Sequence, residues 1–190
     1  MTAVYSSESR GKAPTLPGPL ALAREGADGA SWYADATASI ERYAAEHGHS
    51  VATVADVLAL TSPRQTVTRN VQLAHAYLST GSTAGTLPSV AAALAHWEST
   101  GIIRGGKTGP FSLALQGDSN AVVVDVWMFR AFGLDWPSMT PKRYREAARR
   151  VRGIATRAGM TPRDCQAAVW VATRRRYGYT TNAPLVMAAL

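Results

Sequence analysis

Apolar side chains recur at helical intervals along most of this chain. Between residues 31 and 47 they fall three or four positions apart, at Trp32, Ala36, Ile40, Tyr43 and Ala44. Similar spacing returns in later segments, each bounded by Gly, Ser, Thr or Pro. The pattern predicts helices over 31–47, 51–60, 65–79, 88–98, 107–116, 141–158 and 162–176.

Proline and threonine mark several of these boundaries. Ser62-Pro63 ends one predicted helix, because proline disfavours the helical conformation of the residue before it. Thr140-Pro141 and Thr161-Pro162 open the last two, since threonine is a frequent N-cap and proline fits the first helical position. These pairs make the two C-terminal helices the best-defined elements of the sequence.

One short apolar run has two interpretations. Residues 121–124 (AVVV) are typical of a buried strand, yet Asp125 before VWMFRAFG is equally typical of a helix N-cap. The sequence offers no partner strand. We therefore predict an all-α fold, a compact helical domain.

The length of 190 residues and an apolar content of 46% fit one globular domain. Residues 1–28 are rich in Ser, Gly and Pro without periodicity, and are predicted to form a loosely held, flexible arm. The helical domain is assigned to residues 29–178 and a C-terminal tail to 179–190.

The chain has a single cysteine, Cys165. This excludes disulfide frameworks, zinc ribbons and four-cysteine iron–sulfur clusters, because each needs two or more cysteines. The four histidines form no metal-ligand pattern. We therefore expect no metal or other cofactor. No apolar run reaches about 18 residues and the N-terminus has no apolar leader segment, so we expect no membrane partner and a cytoplasmic location.

Positive charge is concentrated near the C-terminus. The chain has 20 Lys and Arg against 13 Asp and Glu, and eleven of the basic residues lie in 141–176 with only Glu146 and Asp164. Such a segment is either a surface for a polyanion or a solvated helix face.

Residues 101–108 (GIIRGGKT) match the phosphate-loop pattern G-x-x-x-x-G-K-T, and AVVVD imitates the strand that positions magnesium. A phosphate loop must follow a buried strand, whereas ALAHWEST before Gly101 is helical. A parallel sheet also needs several strands. A nucleotide triphosphatase is therefore the weakest of the possible functions.

Lys107 and Asp125 suggest a different chemistry. They lie eighteen residues apart, each at the start of a predicted helix. The positive end of a helix dipole favours a carboxylate and disfavours an ammonium. A neutral amine beside a carboxylate is a nucleophile with its base.

These residues resemble the helix-hairpin-helix DNA glycosylases similar to endonuclease III. That family has a hairpin L-P-G-V-G-x-K-T followed, at this spacing, by V-D-T-H, where this chain has RGGKT and then VVDVWMFR. Residues 60–66 (LTSPRQT) are similar to the family's L-x-S-x-Q-x-T segment, and 162–170 lie where the family has its last core helix. The chain would be a divergent member without the iron–sulfur cluster of many relatives.

The resemblance implies a base-excision enzyme acting as a monomer on double-stranded DNA that carries a modified or damaged base, associated with the nucleoid. Lys107 would be the Schiff-base nucleophile, with an abasic-site lyase activity, and Asp125 the charge stabiliser and base. Arg64 or Gln65 would fill the gap left by the flipped base. Phosphate contacts would come from Arg104, Gly105, Gly106 and Thr108, and from Arg174, Arg175 and Arg176.

Two alternatives stay open at this point. A relative with the same fold would modify a DNA base instead of removing it. A non-catalytic helical DNA-binding module would use Lys107 only to contact phosphate.

Overall fold

The structure is a computed structural model that describes residues 14–134, 140–179 and 184–187. In these three ranges the chain forms nine α-helices and no strand, which confirms the predicted all-α class. The helices are α1 (Pro19–Glu25), α2 (Trp32–His47), α3 (Val51–Thr61), α4 (Val67–Thr80), α5 (Pro88–Thr100), α6 (Thr108–Leu115), α7 (Val126–Ala131), α8 (Pro141–Ala158) and α9 (Pro162–Arg176). A single 3₁₀ turn (Ala27–Gly29) follows α1.

The last two helices begin and end where the sequence predicts. Oγ1 of Thr140 accepts a hydrogen bond from the backbone N–H of Arg143, and Oγ1 of Thr161 accepts one from Asp164. Both contacts satisfy an N–H that has no partner inside the helix. Helix α8 ends at Gly159, whose φ of 68° lies in the left-handed region that favours glycine.

The helices enclose two buried clusters. Helices α2 to α6 build the first, and α1, α7, α8 and α9 build the second. Residues 121–124 run between them, since Ala121 and Val123 face the first cluster while Val122 and Val124 face the second. This alternation explains why the run looks like a strand in the sequence.

The structure decides between the two interpretations of that run. No strand pairs with 121–124 anywhere in the described ranges, and Asp125 is the N-cap of α7. The run is a buried connection that leads directly into the capped helix.

The prediction of a loosely held arm over 1–28 is wrong for residues 19–28, while residues 1–13 lie outside the described ones. Helix α1 packs on α8 and α9, and Leu22 and Ala23 are fully buried. A Cβ on Gly26 would come within 2.0 Å of the carbonyl oxygen of Ala168, so α1 approaches α9 closely enough to require glycine there.

The segment assigned to the C-terminal tail also contacts the core. Leu185 and Met187 are buried, and the backbone N–H of Met187 donates to Oγ of Ser39 across 2.8 Å. Residues 184–187 therefore pack against α2. Among the described residues, no helix has the length and apolar character needed to cross a membrane.

Candidate active site

The turn at 101–107 joins α5 to α6 and ends at Lys107, the N-cap residue of α6. Gly105 has a φ of 120°, and a Cβ there would lie 2.7 Å from Oγ1 of Thr108. The hydroxyl of Thr108 donates to the carbonyl of Arg104 across 2.8 Å, and this hydrogen bond closes the turn. Ile102 is 58% exposed on the same turn. The turn follows a helix rather than a strand, which agrees with setting the phosphate-loop interpretation aside.

Asp125 is held by three donors. Its Oδ1 accepts hydrogen bonds from the backbone N–H groups of Trp127 (2.9 Å) and Met128 (3.1 Å), which is the capping contact predicted for it. Its Oδ2 accepts a third from Nε1 of Trp170 on α9, across 3.0 Å. The carboxylate is therefore fixed in orientation at the positive end of α7.

Tyr144, in the first turn of α8, lies between the Lys107 turn and residues 122–124, which lead to Asp125. Its hydroxyl donates to the carbonyl of Val122 (2.9 Å) and accepts from the N–H of Val124 (3.2 Å). A Cβ on Gly106 would stand 4.0 Å from Cδ2 of the ring. Burial raises the pKa of Tyr144 to about 12, so the phenol stays protonated and can donate.

A second set of contacts leads from Lys107 to the neighbourhood of Asp125. Nζ of Lys107 lies 5.5 Å from the ring centre of Phe111, and that ring meets Tyr33 edge to face at 6.3 Å. Tyr33 is buried and donates to Oε1 of Gln166 across 3.0 Å. Burial, and next the charge of Asp125, raise the pKa of Tyr33 well above its ordinary value.

Phe111 and Tyr33 therefore connect Lys107 to α9, where Gln166 contacts Tyr33. Trp170, one turn further along the same helix, contacts Asp125. No ion pair joins Lys107 to Asp125 in the described part of the chain. The two residues are thus linked through side chains of α2, α6 and α9, with no direct contact between them among the described residues.

The turn that carries Arg64 and Gln65 connects α3 to α4. Arg64 is exposed and has a φ of 59°, a left-handed conformation that costs a non-glycine residue about 1–2 kcal/mol. The N–H of Gln65 donates to the carbonyl of Ser62. In the described ranges, no hydrogen bond, ion pair or ring contact joins this turn to Lys107 or Asp125. Their insertion into DNA stays a prediction.

The three arginines at the end of α9 have protein partners. Arg175 forms an ion pair with Asp28, and Arg176 with Glu25 across 2.8 Å. The guanidinium of Arg174 lies over the ring of Trp170, 4.4 Å from its centre. These contacts hold the N-terminal helix and turn against α9. The predicted contacts of these arginines with DNA are untested.

Sequence reasoning missed Trp170, Tyr33 and Tyr144. A tryptophan in an apolar helix is usually core, and the indole–carboxylate bond to Asp125 spans 45 residues of sequence. No local signal identifies such a pair. For metals, no group of three or more His, Cys, Asp or Glu side chains within the described residues is arranged to hold an ion.

Comparison with known proteins gives one match. Residues 20–177 match a family described as a family of unknown function, DUF7178. No curated protein matches the chain, and no solved structure does.

Proposed function

Because the chain belongs to the DUF7178 family, whose function is unknown, we propose its function from its own residues: it is a glycosylase-like enzyme that excises a modified or damaged base from double-stranded DNA. The observation that supports this proposal is the fixed carboxylate of Asp125. Its partner Trp170 lies one turn of α9 from Gln166, which contacts the Tyr33–Phe111 pair beside Lys107. The resemblance to helix-hairpin-helix glycosylases over these two residues supports the same assignment.

In this proposal the target nucleotide leaves the base stack, because its C1′ cannot be reached inside the duplex. Nζ of Lys107 attacks C1′, a C1′–N bond to the enzyme forms, and the bond from C1′ to the base breaks. The base leaves with the bonding electron pair. The proton that the attacking amine loses passes to Asp125 and from there to the departing base.

The negative charge of Asp125 also stabilises the positive charge that develops on the sugar. Three donors hold its carboxylate, so little reorganisation is needed when that charge appears. A carboxylate oxygen accepts more than one hydrogen bond, and among the described residues Oδ2 has a single donor, Trp170. Oδ2 is therefore the oxygen that takes the proton. The C1′–O4′ bond then breaks, the remaining N–H proton ends on O4′, and the C1′–N bond becomes an imine at Lys107, which would permit strand cleavage by elimination of the 3′ phosphate.

Trapping of the covalent intermediate tests this proposal. The protein is incubated with duplexes that each carry one modified base or an abasic site, and borohydride is added to reduce any imine. We expect a covalent adduct with the wild type and release of one base, identified by mass spectrometry. Lys107→Arg keeps the positive charge but a guanidinium forms no such imine, so it should give no adduct.

Equal trapping by wild type and Lys107→Arg on every substrate would contradict the assignment of Lys107. A strand that stays intact and gains mass would instead indicate a base-modifying enzyme.

One observation favours a second candidate, a non-catalytic DNA-binding module. Two of the three donors to Asp125, the N–H groups of Trp127 and Met128, are those that a purely structural helix cap uses. In that case Lys107 contacts phosphate, and duplex binding occurs with no adduct and no released base.

A further inference from the structure

The solvent face of α8 is the most strongly charged surface in the described part of the chain. Seven basic side chains are exposed along it, and Glu146 is the helix's one acidic residue. The basic residues are Lys142, Arg143, Arg145, Arg149, Arg150, Arg152 and Arg157. The opposite face, with Ala147, Val151 and Ala155, is buried in the second cluster.

These cations fall into two stripes. At 3.6 residues per turn, one flank of the helix carries Lys142, Arg145, Arg149 and Arg152, and the other carries Arg143, Arg150 and Arg157. The guanidinium of Arg152 donates to the carbonyl of Asn120 across 3.3 Å, so the first flank borders the 117–120 turn. Arg150 and Arg157 instead line a shallow groove with Pro19 at the start of α1.

The two stripes also differ in their ion pairs. Arg150 is paired with Glu146 across 2.6 Å. Among the described residues, the four charges of the first stripe have no acidic neighbour within ion-pair distance. The stripe begins at Lys142, two residues before Tyr144, whose ring lies beside Gly106 in the Lys107 turn.

We propose that the stripe Lys142–Arg145–Arg149–Arg152 binds the phosphate backbone of duplex DNA and leads it to the Lys107 turn. From Lys142 to Arg152 the stripe extends about 15 Å along α8, which matches the rise of about four to five base pairs. Cations at this spacing fit a polyanion with regularly repeated charges. The proposal rests on the proposed function for the nature of the partner, but not for any chemical step.

The structure favours a nucleic acid over an anionic membrane. Basic amphipathic helices bind membranes by burying an apolar face in the lipid. The apolar face of α8 is already buried against α1 and α9, and its exposed face offers no large apolar side chain to insert. The basic side chains of α8 are therefore the groups that would contact a partner.

A charge-matched pair of variants tests the proposal. Arg145→Ala with Arg149→Ala removes two charges from the stripe, and Arg150→Ala with Arg157→Ala removes two from the other flank. Binding of the full chain to a labelled 20-base-pair duplex is measured by fluorescence anisotropy at several salt concentrations. Because each phosphate contact contributes about 0.9 to the slope of log K against log salt, the first variant should lose about 1.8 in slope.

That loss corresponds to roughly tenfold or more in affinity at 0.1 M salt, while the second variant should keep the wild-type slope. Equal losses in both variants, no loss in either, or no binding by the wild type would overturn the proposal. So would tighter binding to an RNA duplex or to vesicles containing phosphatidylserine. All side chains replaced are exposed, and circular dichroism confirms that each variant is folded.

The outcome of this binding experiment is independent of the borohydride trapping that tests the proposed excision. If the slope falls as expected but no substrate gives a borohydride adduct, the stripe binds DNA and the proposed excision is wrong. If an adduct forms but the slope is unchanged, the excision stands and the DNA follows another surface.

Discussion

Nε1 of Trp170 donates a hydrogen bond to Oδ2 of Asp125 across 3.0 Å, and so ties the cap of α7 to the middle of α9. The same arrangement occurs at Asp56 on α3, whose Oδ2 accepts from Nε1 of Trp97 across 2.9 Å. The first pair holds a residue of the proposed excision mechanism, whereas the second pair does not. The second pair is therefore an internal control for what such a bond contributes to stability alone.

Trp170→Phe should lower both stability and base release. The ring and its contact with Arg174 are kept, but Asp125 loses one hydrogen bond, which for a charged acceptor contributes about 1.5–3 kcal/mol. Trp97→Phe removes the equivalent bond to Asp56 and should lower stability to a similar degree without affecting base release. Urea unfolding and single-turnover base release measure the two effects. Matching losses of base release in both variants would show that only stability matters.

Asp125→Asn should leave the protein folded and reduce base release by about a hundredfold or more, because an amide caps a helix but stabilises no positive charge. Asp56→Asn is the matched control. Its carboxylate accepts from Trp97 and from Oγ of Ser112 and has no role in the proposed excision, so base release by this variant should stay near that of the wild type. Full activity of a folded Asp125→Asn variant would assign Asp125 to capping alone.

Gly26→Ala should destabilise the protein by about 1–3 kcal/mol. The added Cβ would meet the carbonyl of Ala168 at 2.0 Å, so α1 must move away from α9. Gly153→Ala is the opposite case, since its Cβ would meet nothing within 4 Å and alanine favours a helix interior by up to about 1 kcal/mol. Urea unfolding of the two variants should shift in opposite directions, and a shift of Gly26→Ala to higher urea would refute the close approach of α1.

The ion pairs of α1 and the 3₁₀ turn should make their docking depend on pH. A hydrogen bond from Arg176 lowers the pKa of Glu25, and one from Arg175 lowers the pKa of Asp28. A lowered pKa in the folded state gives stability that is present above the unfolded-state pKa, about 4, and is lost as pH falls through the folded-state value. The effect is small because these groups are exposed and screened.

Comparing the wild type with the double variant Arg175→Ala, Arg176→Ala isolates this contribution. The difference between their urea midpoints should be largest near pH 6 and should shrink as the pH falls below about 4. A difference that is constant between pH 3 and 6 would show that the two ion pairs do not contribute.

Much of the fold follows from local sequence. The bounds of α8 and α9 could be predicted because Thr-Pro pairs fix where a helix begins and Gly159 allows α8 to end. The capping contact of Asp125 could also be anticipated, since it depends on backbone groups two and three residues away. These contacts join residues only two or three positions apart, so a short stretch of sequence is enough to predict them.

Tertiary structure decided the rest. A seven-residue helix such as α1 shows no periodicity of its own, and it is held by a close fit of Gly26 to α9 and by ion pairs across about 150 residues. Likewise, the sequence counts Arg149 and Arg176 as equal charges, but folding places an acidic partner beside Arg176 and none beside Arg149 within the described residues. Charge is a property of the residue, whereas its neutralisation depends on which distant side chains the packed helices bring within a few ångströms.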